Sequence, residues 1–418
     1  MAKKKMLIFA HYYAPDTAST GQILQDQAEG MKDDFDITVI CTVPSYTGKI
    51  EEKYKTQKVY NEEINGVKVV RVRVPEFTKA NKVSRIKNII AYYFGARKAC
   101  RHSGPQDYIF TISQPPILGG MLGVSGKRMK KAKMIYCIQD FNPEQTIAVK
   151  YAGNKLVLRA MMMMDKRSCR KSDLVITVGR DLVETLEKRF AGQTVPKHVM
   201  INNWIDEKQI YPLPADNEGV VRFREGAGLL DKFVIMYSGN IGLYYDLENI
   251  LKVIETFKPG TRAKDGREVA FAFVGEGSVL DKLKVYAAER GMTNVLFLPY
   301  QDKDKLIYSL NAADVHWCVN ARGIKGVSCP SKFYGIAAVA KPVLGVLEKG
   351  SEVRMLIEDT GCGLVCEPGE YDQIAENICA FLSGDDLAEM GRRGYEYLVR
   401  NLTKDVSIRK YSEEIQKL

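Results

Sequence analysis

The sequence has no apolar run approaching the roughly 18 residues that cross a bilayer as a helix. Arg159 and Lys341 interrupt the best candidates. A spanning helix is therefore excluded as an organising element. The apolar run Met6–Ala10 is too short for the core of a signal peptide. Histidine is scarce, with four residues in 418. The nine cysteines are an odd number scattered from Cys41 to Cys379. Their closest pair, Cys362 and Cys366, has no second pair and no nearby histidine. A zinc site needs more ligands than that. The pattern fits buried, reduced thiols in a cytosolic protein. The glycine fingerprint of a dinucleotide site is absent, and so is the lysine-bearing loop of the P-loop proteins. There is no short repeat and no low-complexity segment.

What remains is an ordinary globular composition, 45% hydrophobic and 27% charged, with 34 glycines and 15 prolines. Disorder, collagen and coiled coil are excluded as global descriptions. The length suits two or three domains. Sixty-one basic residues against 51 acidic ones give a net charge of +10. That excess permits an anionic partner without choosing one.

Short β-branched runs alternate with longer helical patterns. Strands are predicted at 6–11, 36–42, 67–74, 107–112, 133–138, 173–178 and 198–202. Helices are predicted at 20–33, 82–101, 117–131, 155–171 and 180–190. Such alternation reads as βαβ units around a mostly parallel sheet buried on both faces. Residues 204–231 break the rhythm with Pro212, Pro214, Asn217, Gly219, Gly226 and Gly228, and a domain boundary is expected near there. A second series begins at Lys232–Ser238. Strands follow at 269–274, 294–298, 313–319, 342–347 and 363–366, with helices between them, and 385–418 reads as a polar helical tail. The expected fold class is α/β, with two tandem doubly wound Rossmann-like domains facing an interdomain cleft. Ligands in such sheets bind beyond the carboxyl ends of the strands.

Five loops fall at those ends. His11-Tyr12-Tyr13-Ala14-Pro15 runs on to Thr20-Gly21-Gln22 between the first strand and first helix. A glycine and small hydroxyls there either expose backbone N–H groups to an anion or sugar, or simply cap the helix. Gln139-Asp140-Phe141-Asn142-Pro143-Glu144 follows strand 133–138. Asp140 is placed to bind sugar hydroxyls or act as a base, or else to cap a helix. Gly239-Asn240-Ile241-Gly242 opens the second domain and allows a phosphate close to the backbone. Gly275-Glu276-Gly277 is a tight turn of similar type. Gly323 to Lys341 is a glycine-rich basic loop leading into a small-residue helix. Ser331 is the expected N-cap there. Lys325 and Lys332 are candidates to neutralise a diphosphate, the alternative being small residues for packing and solvated lysines.

The last two loops, in this order, resemble the carboxyl-terminal half of family 4 glycosyltransferases. So do Ile201-Asn202-Asn203-Trp204-Ile205-Asp206 and the glycine pattern Gly350-Ser351-Glu352, Gly361-Cys362-Gly363 and Pro368-Gly369. The segments around Tyr12–Gly21 and Gln139–Glu144 resemble the acceptor domain of the same family, in a branch like the bacterial O-antigen and capsule transferases of the L-fucosamine-transferase type. The resemblance implies the glycosyltransferase-B fold. Its acceptor domain would span 1–204 and its nucleotide-sugar domain 205–390, with a helix at 391–418 crossing back. It implies a retaining glycosyltransferase that uses no metal or other cofactor, a UDP-sugar donor and a lipid-linked or soluble sugar acceptor, polyprenyl-diphosphate-linked by preference. Asp140, Lys332 and Lys325 would carry catalysis. Asn240, Gly242, Gly275, Gly277, Ser331 and Glu352 would bind the donor, and Tyr13, Thr20, Gly21, Gln139 and Glu144 the acceptor. Two features depart from the family pattern. Gln139 stands where many members have histidine. Val327 and Gly335 stand where many have a Glu-x7-Glu pair, and Glu352 is the nearest acidic substitute.

Basic residues interleave with apolar ones at 79–101 and recur at 127–133 and 159–167. Such segments suit either an anionic membrane surface or a solvated helix face. No nucleic-acid recognition motif accompanies them. The expected location is cytoplasmic, with the inner face of the plasma membrane as a peripheral station. Two other readings share the architecture: a nucleotide-sugar 2-epimerase, and a non-catalytic nucleotide-binding scaffold.

Overall fold

A computed structural model describes residues 3–78, 81–148 and 154–418. Lys79, at the edge of the first basic segment, lies outside the described residues. The chain divides into two compact units. The first comprises Met1–Val178, Leu182–Ile201 and Ser407–Leu418, and the second Gly179–Asp181 and Asn202–Val406.

The elements of the first series are β1 (Lys4–Phe9), α1 (Ser19–Met31), β2 (Phe35–Thr42), β3 (Val59–Ile64), β4 (Val67–Val72), α2 (Lys82–His102) and β5 (Tyr108–Ile112). They continue with α3 (Leu118–Lys130), β6 (Lys133–Ile138), α4 (Glu144–Ala148), α5 (Lys155–Lys171), β7 (Leu174–Thr177), α6 (Arg180–Arg189) and β8 (His198–Met200). The sheet order is β3-β4-β2-β1-β5-β6-β7-β8. The strands pair in parallel except β3 with β4. Every residue of β5 and β7 is buried. Burial on both faces explains why these strands read as unbroken apolar runs rather than alternating ones.

β3 was not foreseen. Its sequence, Val59-Tyr60-Asn61-Glu62-Glu63-Ile64, has no apolar run, because it is a half-exposed edge strand. What makes it a strand is the turn. Asn65 and Gly66 have φ of 50° and 82°, the positive pair that a two-residue hairpin needs and that Asn-Gly adopts at least cost.

The second series is α7 (Glu218–Gly226), β9 (Lys232–Ser238), α8 (Leu247–Ile254), β10 (Glu268–Val274), α9 (Leu280–Glu289), β11 (Val295–Leu298) and α10 (Leu306–Asn311). It ends with β12 (Val315–Val319), α11 (Lys332–Ala338), β13 (Val343–Val346), α12 (Glu352–Thr360), β14 (Gly363–Cys366), α13 (Tyr371–Ser383) and α14 (Leu387–Asn401). This sheet is wholly parallel, in the order β11-β10-β9-β12-β13-β14. From β9 the chain winds outwards through β10 and β11, then returns to the other side of β9 for β12. The crevice at the ends of β9 and β12 is therefore the topological switch point, where such sheets bind ligands. In the first unit the switch lies between β1 and β5.

Two expectations need correcting. Residues 204–231 are not all irregular: α7 forms there, its first turn capped by the Asn217 side chain, which accepts from the Gly219 and Val220 amides. The tail is not one helix. It breaks after α14, and α15 (Lys404–Gln416) follows. Only Ser407–Leu418 groups with the first unit, so 391–406 belongs to the second. In the first unit Tyr411 packs 6.3 Å from Phe110 between ring centroids, and its hydroxyl meets Cys137 Sγ at 3.4 Å. All nine cysteines are unpaired, most of them buried.

Candidate active site

At the switch point of the second unit, β9 ends in Ser238 and the chain turns through Gly239-Asn240-Ile241-Gly242. Gly239 has φ +140° and Gly275, at the same place after β10, has φ +141°; side chains avoid that region. The two loops lie on each other. A Cβ on Gly275 would stand 2.0 Å from Gly239 O, and one on Gly277 2.1 Å from Ile241 O. The Ile241 amide donates to Glu276 O at 2.8 Å. Gly275 and Gly277 are thus glycines because backbone meets backbone, which shapes the 239–242 loop from behind. Gly242 is looser: a Cβ there would meet the Asn240 side-chain amide at 2.9 Å. Asn240 itself is exposed.

Lys332, the first residue of α11, reaches this loop. A Cβ on Gly239 would lie 2.7 Å from Lys332 Cε. The ammonium sits 3.7 Å from the Tyr245 ring centroid and 5.1 Å from that of Tyr237. Tyr237 is held in place by its hydroxyl, which donates to Asn240 O at 2.6 Å. Among the described residues no carboxylate lies within ion-pair distance of Lys332. Burial lowers its pKa to about 8, with the nearby Cys318 opposing. A desolvated cation over two aromatic faces, lacking a counter-ion, is arranged to receive an anion. Sequence reasoning named Lys332 but missed Tyr237 and Tyr245 as its seat.

Beside it a second cluster holds the loop after β12. Glu348 Oε2 accepts from the amides of Gly323 (2.8 Å) and Lys325 (2.9 Å). The buried Asp181 accepts from the Gly326 amide at 2.8 Å. Lys325 packs over Gly350, where a Cβ would be 2.7 Å from its Nζ. Neither Glu348 nor Asp181 was foreseen. Ser331 holds the expected N-cap position of α11, but it is exposed, its backbone is already α-helical, and its side chain makes no cap bond.

Glu352 is differently employed from the expected donor contact. It is 2% exposed. Its Oε2 accepts from the Arg180 amide (2.8 Å) and Nε (2.9 Å), and its Oε1 from Asn202 Nδ2 (2.9 Å). With both oxygens taken, Glu352 braces its unit rather than offering a free carboxylate in place of the missing pair.

In the first unit the loops after β1, β5 and β6 converge at the strand ends. The Gln139 and Asp140 amides donate to Ser113 Oγ at 3.1 and 3.3 Å; Ser113 escaped the sequence analysis. Gln139 is buried and Asp140 half-buried. Tyr13 is wholly buried, and its hydroxyl has no hydrogen-bond partner among the described residues. Thr20 lies in the first turn of α1, and Gly21 packs under the Tyr12 carbonyl, where a Cβ would be 3.1 Å away. His11 is buried between the Tyr12 and Tyr92 rings, and burial lowers its pKa to about 4.

Glu144 is not a free ligand for an acceptor. Both its oxygens take the Arg189 guanidinium, which also holds Asp165 and the Asn142 carbonyl and stacks 4.2 Å from the Phe141 centroid. Removing one partner from such a buried network would strand a charge, at a cost of about 3–5 kcal/mol. Among the described residues, no group of three or more His, Cys, Asp or Glu is arranged to hold a metal ion, and no helix is long and apolar enough to cross a membrane.

Two Rossmann-like units of this topology are the architecture of glycosyltransferases with the B fold. Comparison with known proteins agrees. The glycosyl transferases group 1 family matches residues 222–397, and the glycosyl transferase 4-like domain matches 20–204. The probable glycosyltransferase WbjE of Pseudomonas aeruginosa is 29% identical over 294 residues, 68% of each chain. The putative colanic acid biosynthesis glycosyl transferase WcaI of Escherichia coli (strain K12) is 25% identical, covering 99% of this chain and 100% of the relative. The solved structure of Anabaena HepE with UDP-glucose has a TM-score of 0.69 at 14% identity, covering 99% of this chain and all of that one, and carries the fold alone. The chain belongs to the family 4 glycosyltransferases.

Proposed function

We propose that this glycosyltransferase moves a sugar from a UDP-sugar to a polyprenyl-diphosphate-linked sugar acceptor, with retention of configuration, in bacterial surface-polysaccharide assembly. The relatives' names support the polysaccharide setting, one of them naming colanic acid. The UDP-glucose complex of HepE supports the donor class.

The observation that carries the reading is Lys332, held over Tyr245 with no counter-ion among the described residues. As the bond from the anomeric carbon to the diphosphate breaks, negative charge gathers on the leaving oxygen. A preorganised cation at that place is the largest expected catalytic term. Lys332 meets that charge, with Lys325 and the backbone N–H groups of Asn240 and Gly242 sharing the remaining phosphate oxygens, the Ile241 amide being taken by the Glu276 carbonyl. No metal ion is needed for this neutralisation. The acceptor hydroxyl attacks the anomeric carbon on the face the phosphate is leaving, and its proton passes to the departing phosphate oxygen. Configuration is retained without the carboxylate nucleophile that retaining glycosidases use. Asp140 and Gln139 orient the acceptor. The first unit meets an anionic leaflet through α2.

A melting-temperature panel with UDP, GDP, ADP and CMP and their sugar conjugates tests the donor. A ligand at 100 times its Kd adds about 2.7 kcal/mol to the unit it binds, or roughly 5–10 °C at this unit size. A selective shift with UDP supports the reading. A shift with another base replaces UDP, and no shift with any nucleotide overturns the reading of this unit as a ready donor site.

A further inference from the structure

Helix α2 is amphipathic in an inverted sense. Its solvent side carries Val83, Ile86, Ile90 and Phe94, which are 61, 55, 45 and 61% exposed. These positions follow the i, i+3, i+4 spacing of one helix face. Lys82, Arg85, Lys87, Lys98 and Arg101 border them, all exposed. The other basic run is less available. Lys127 and Lys133 share Asp173, and Lys130 donates to the Arg101 carbonyl.

Next to this stripe, between α2 and the β3–β4 hairpin, lies a groove of about 800 Å³. That is within the size range of small-molecule sites. Its floor is apolar: Val59, Val70 and Val72 from the hairpin, and Ala91, Gly95 and Ala99 at one-turn intervals along α2. A Cβ on Gly95 would stand 2.1 Å from Val72 Cγ1, so small residues keep helix and strand close. Its rim is cationic. Lys58, Lys68, Arg73 and Lys98 line it; Lys68 pairs with Asp36 at 2.8 Å and Arg73 donates to the Lys55 carbonyl, while among the described residues Lys58 and Lys98 have no acidic partner. Its one carboxylate, Glu62, is already taken by Arg71 and Tyr54.

We propose that this groove binds one hydrocarbon chain of an anionic lipid, with the lipid phosphate held by Lys58, Arg73 and Lys98. An apolar floor under a rim with two basic residues that lack an acidic partner is complementary to an anionic amphiphile. The exposed stripe on the same helix would place the groove's mouth at the level of the headgroups. The inference deepens the membrane part of the proposed function and rests on it.

The test uses the full-length protein and a phosphatidic acid with one pyrene-labelled chain, presented as monomer. Saturable binding of one lipid per chain is expected. Ala91→Trp, which fills the floor, and the double change Lys58→Glu with Lys98→Glu, at exposed rim positions, should each weaken it at least tenfold. Glycerol phosphate should not displace the probe, and a phosphatidylcholine of the same chain should bind at least tenfold more weakly. Unchanged affinity in the folded variants overturns the groove. Displacement by glycerol phosphate overturns the chain's role, and equal binding of the choline lipid overturns that of the rim. If Ala91→Trp does not fold, the rim variant carries the test. The UDP-induced melting shift, followed in the same variants, separates loss of this site from failure of the transferase reading.

Discussion

The ammonium of Lys332 lies 3.7 Å from the centre of the Tyr245 ring, and no carboxylate among the described residues neutralises it. A lysine so placed costs desolvation in the free protein and recovers it when an anion arrives. Replacing it with methionine should therefore cut kcat by about 10²–10³ while the melting temperature holds or rises. Steady-state kinetics and calorimetry on one preparation check this. A folded variant with near-normal turnover would remove Lys332 from the mechanism.

The pH dependence follows from the same lysine. Burial brings its pKa down from 10.5 to about 8. The folded value lies below the unfolded one, so between about pH 8 and 10.5 the unfolded chain holds more protons. This group's contribution to stability therefore rises with pH across that window. Anion binding runs the other way, since it favours the charged form. UDP should bind several-fold more weakly at pH 9.5 than at pH 7, with proton uptake on binding above pH 8. Titration calorimetry in buffers of different ionisation enthalpy reads both.

Arg180→Ala should destabilise the second unit. Glu352 would be left buried with only Asn202 and the residue-180 amide to hold it. Stranding a buried charge costs about 3–5 kcal/mol. Arg180 is 41% exposed, so a loss nearer 2 kcal/mol is expected. Denaturant unfolding measures it. If stability is kept and UDP affinity alone collapses, Glu352 belongs to the donor site after all.

Gly275→Ala should damage the donor loop without touching a ligand. Its new Cβ would need space 2.0 Å from Gly239 O, which is backbone and cannot swing away. A loss of about 2 kcal/mol or more is expected, together with loss of the UDP-induced melting shift.

His11 and His316 set the acid limit, one in each unit. Burial lowers each pKa from 6.5 to about 4. With the folded value depressed, the unfolded chain takes up protons first. Stability is complete above about pH 6.5 and drains away as pH falls to 4. His316→Gln should flatten that slope for the second unit, whatever it costs at neutral pH. A melting series from pH 7 to 4 tests it.

The strands legible in the sequence were those buried on both faces, such as β5 and β9, because burial demands an apolar run. β3 was not, because an edge strand needs only a turn and a partner, and its two glutamates hid it. α7 was masked by the surrounding prolines and glycines, although Asn217 caps it. The two loops at the switch point were legible as a pair of glycine turns after strands. That Gly275 and Gly277 serve the contact between the loops was not, since Gly239 and Gly275 meet only once β9 and β10 are paired.

The sequence by itself determined the alternation of elements, hence two parallel sheets, their switch points and the loops that must lie there. Each of those depends on neighbours along the chain. Only the tertiary structure decided which polar groups are free. Glu352 and Glu144 looked available, but they are consumed by Arg180 and Arg189, partners 172 and 45 residues away. Lys332 was a candidate by its loop alone, but only packing set it over two tyrosine rings with no counter-ion among the described residues. The physical reason is that the charge a site can offer depends on what has already neutralised it. Those partners come from remote segments that only the packed fold brings together.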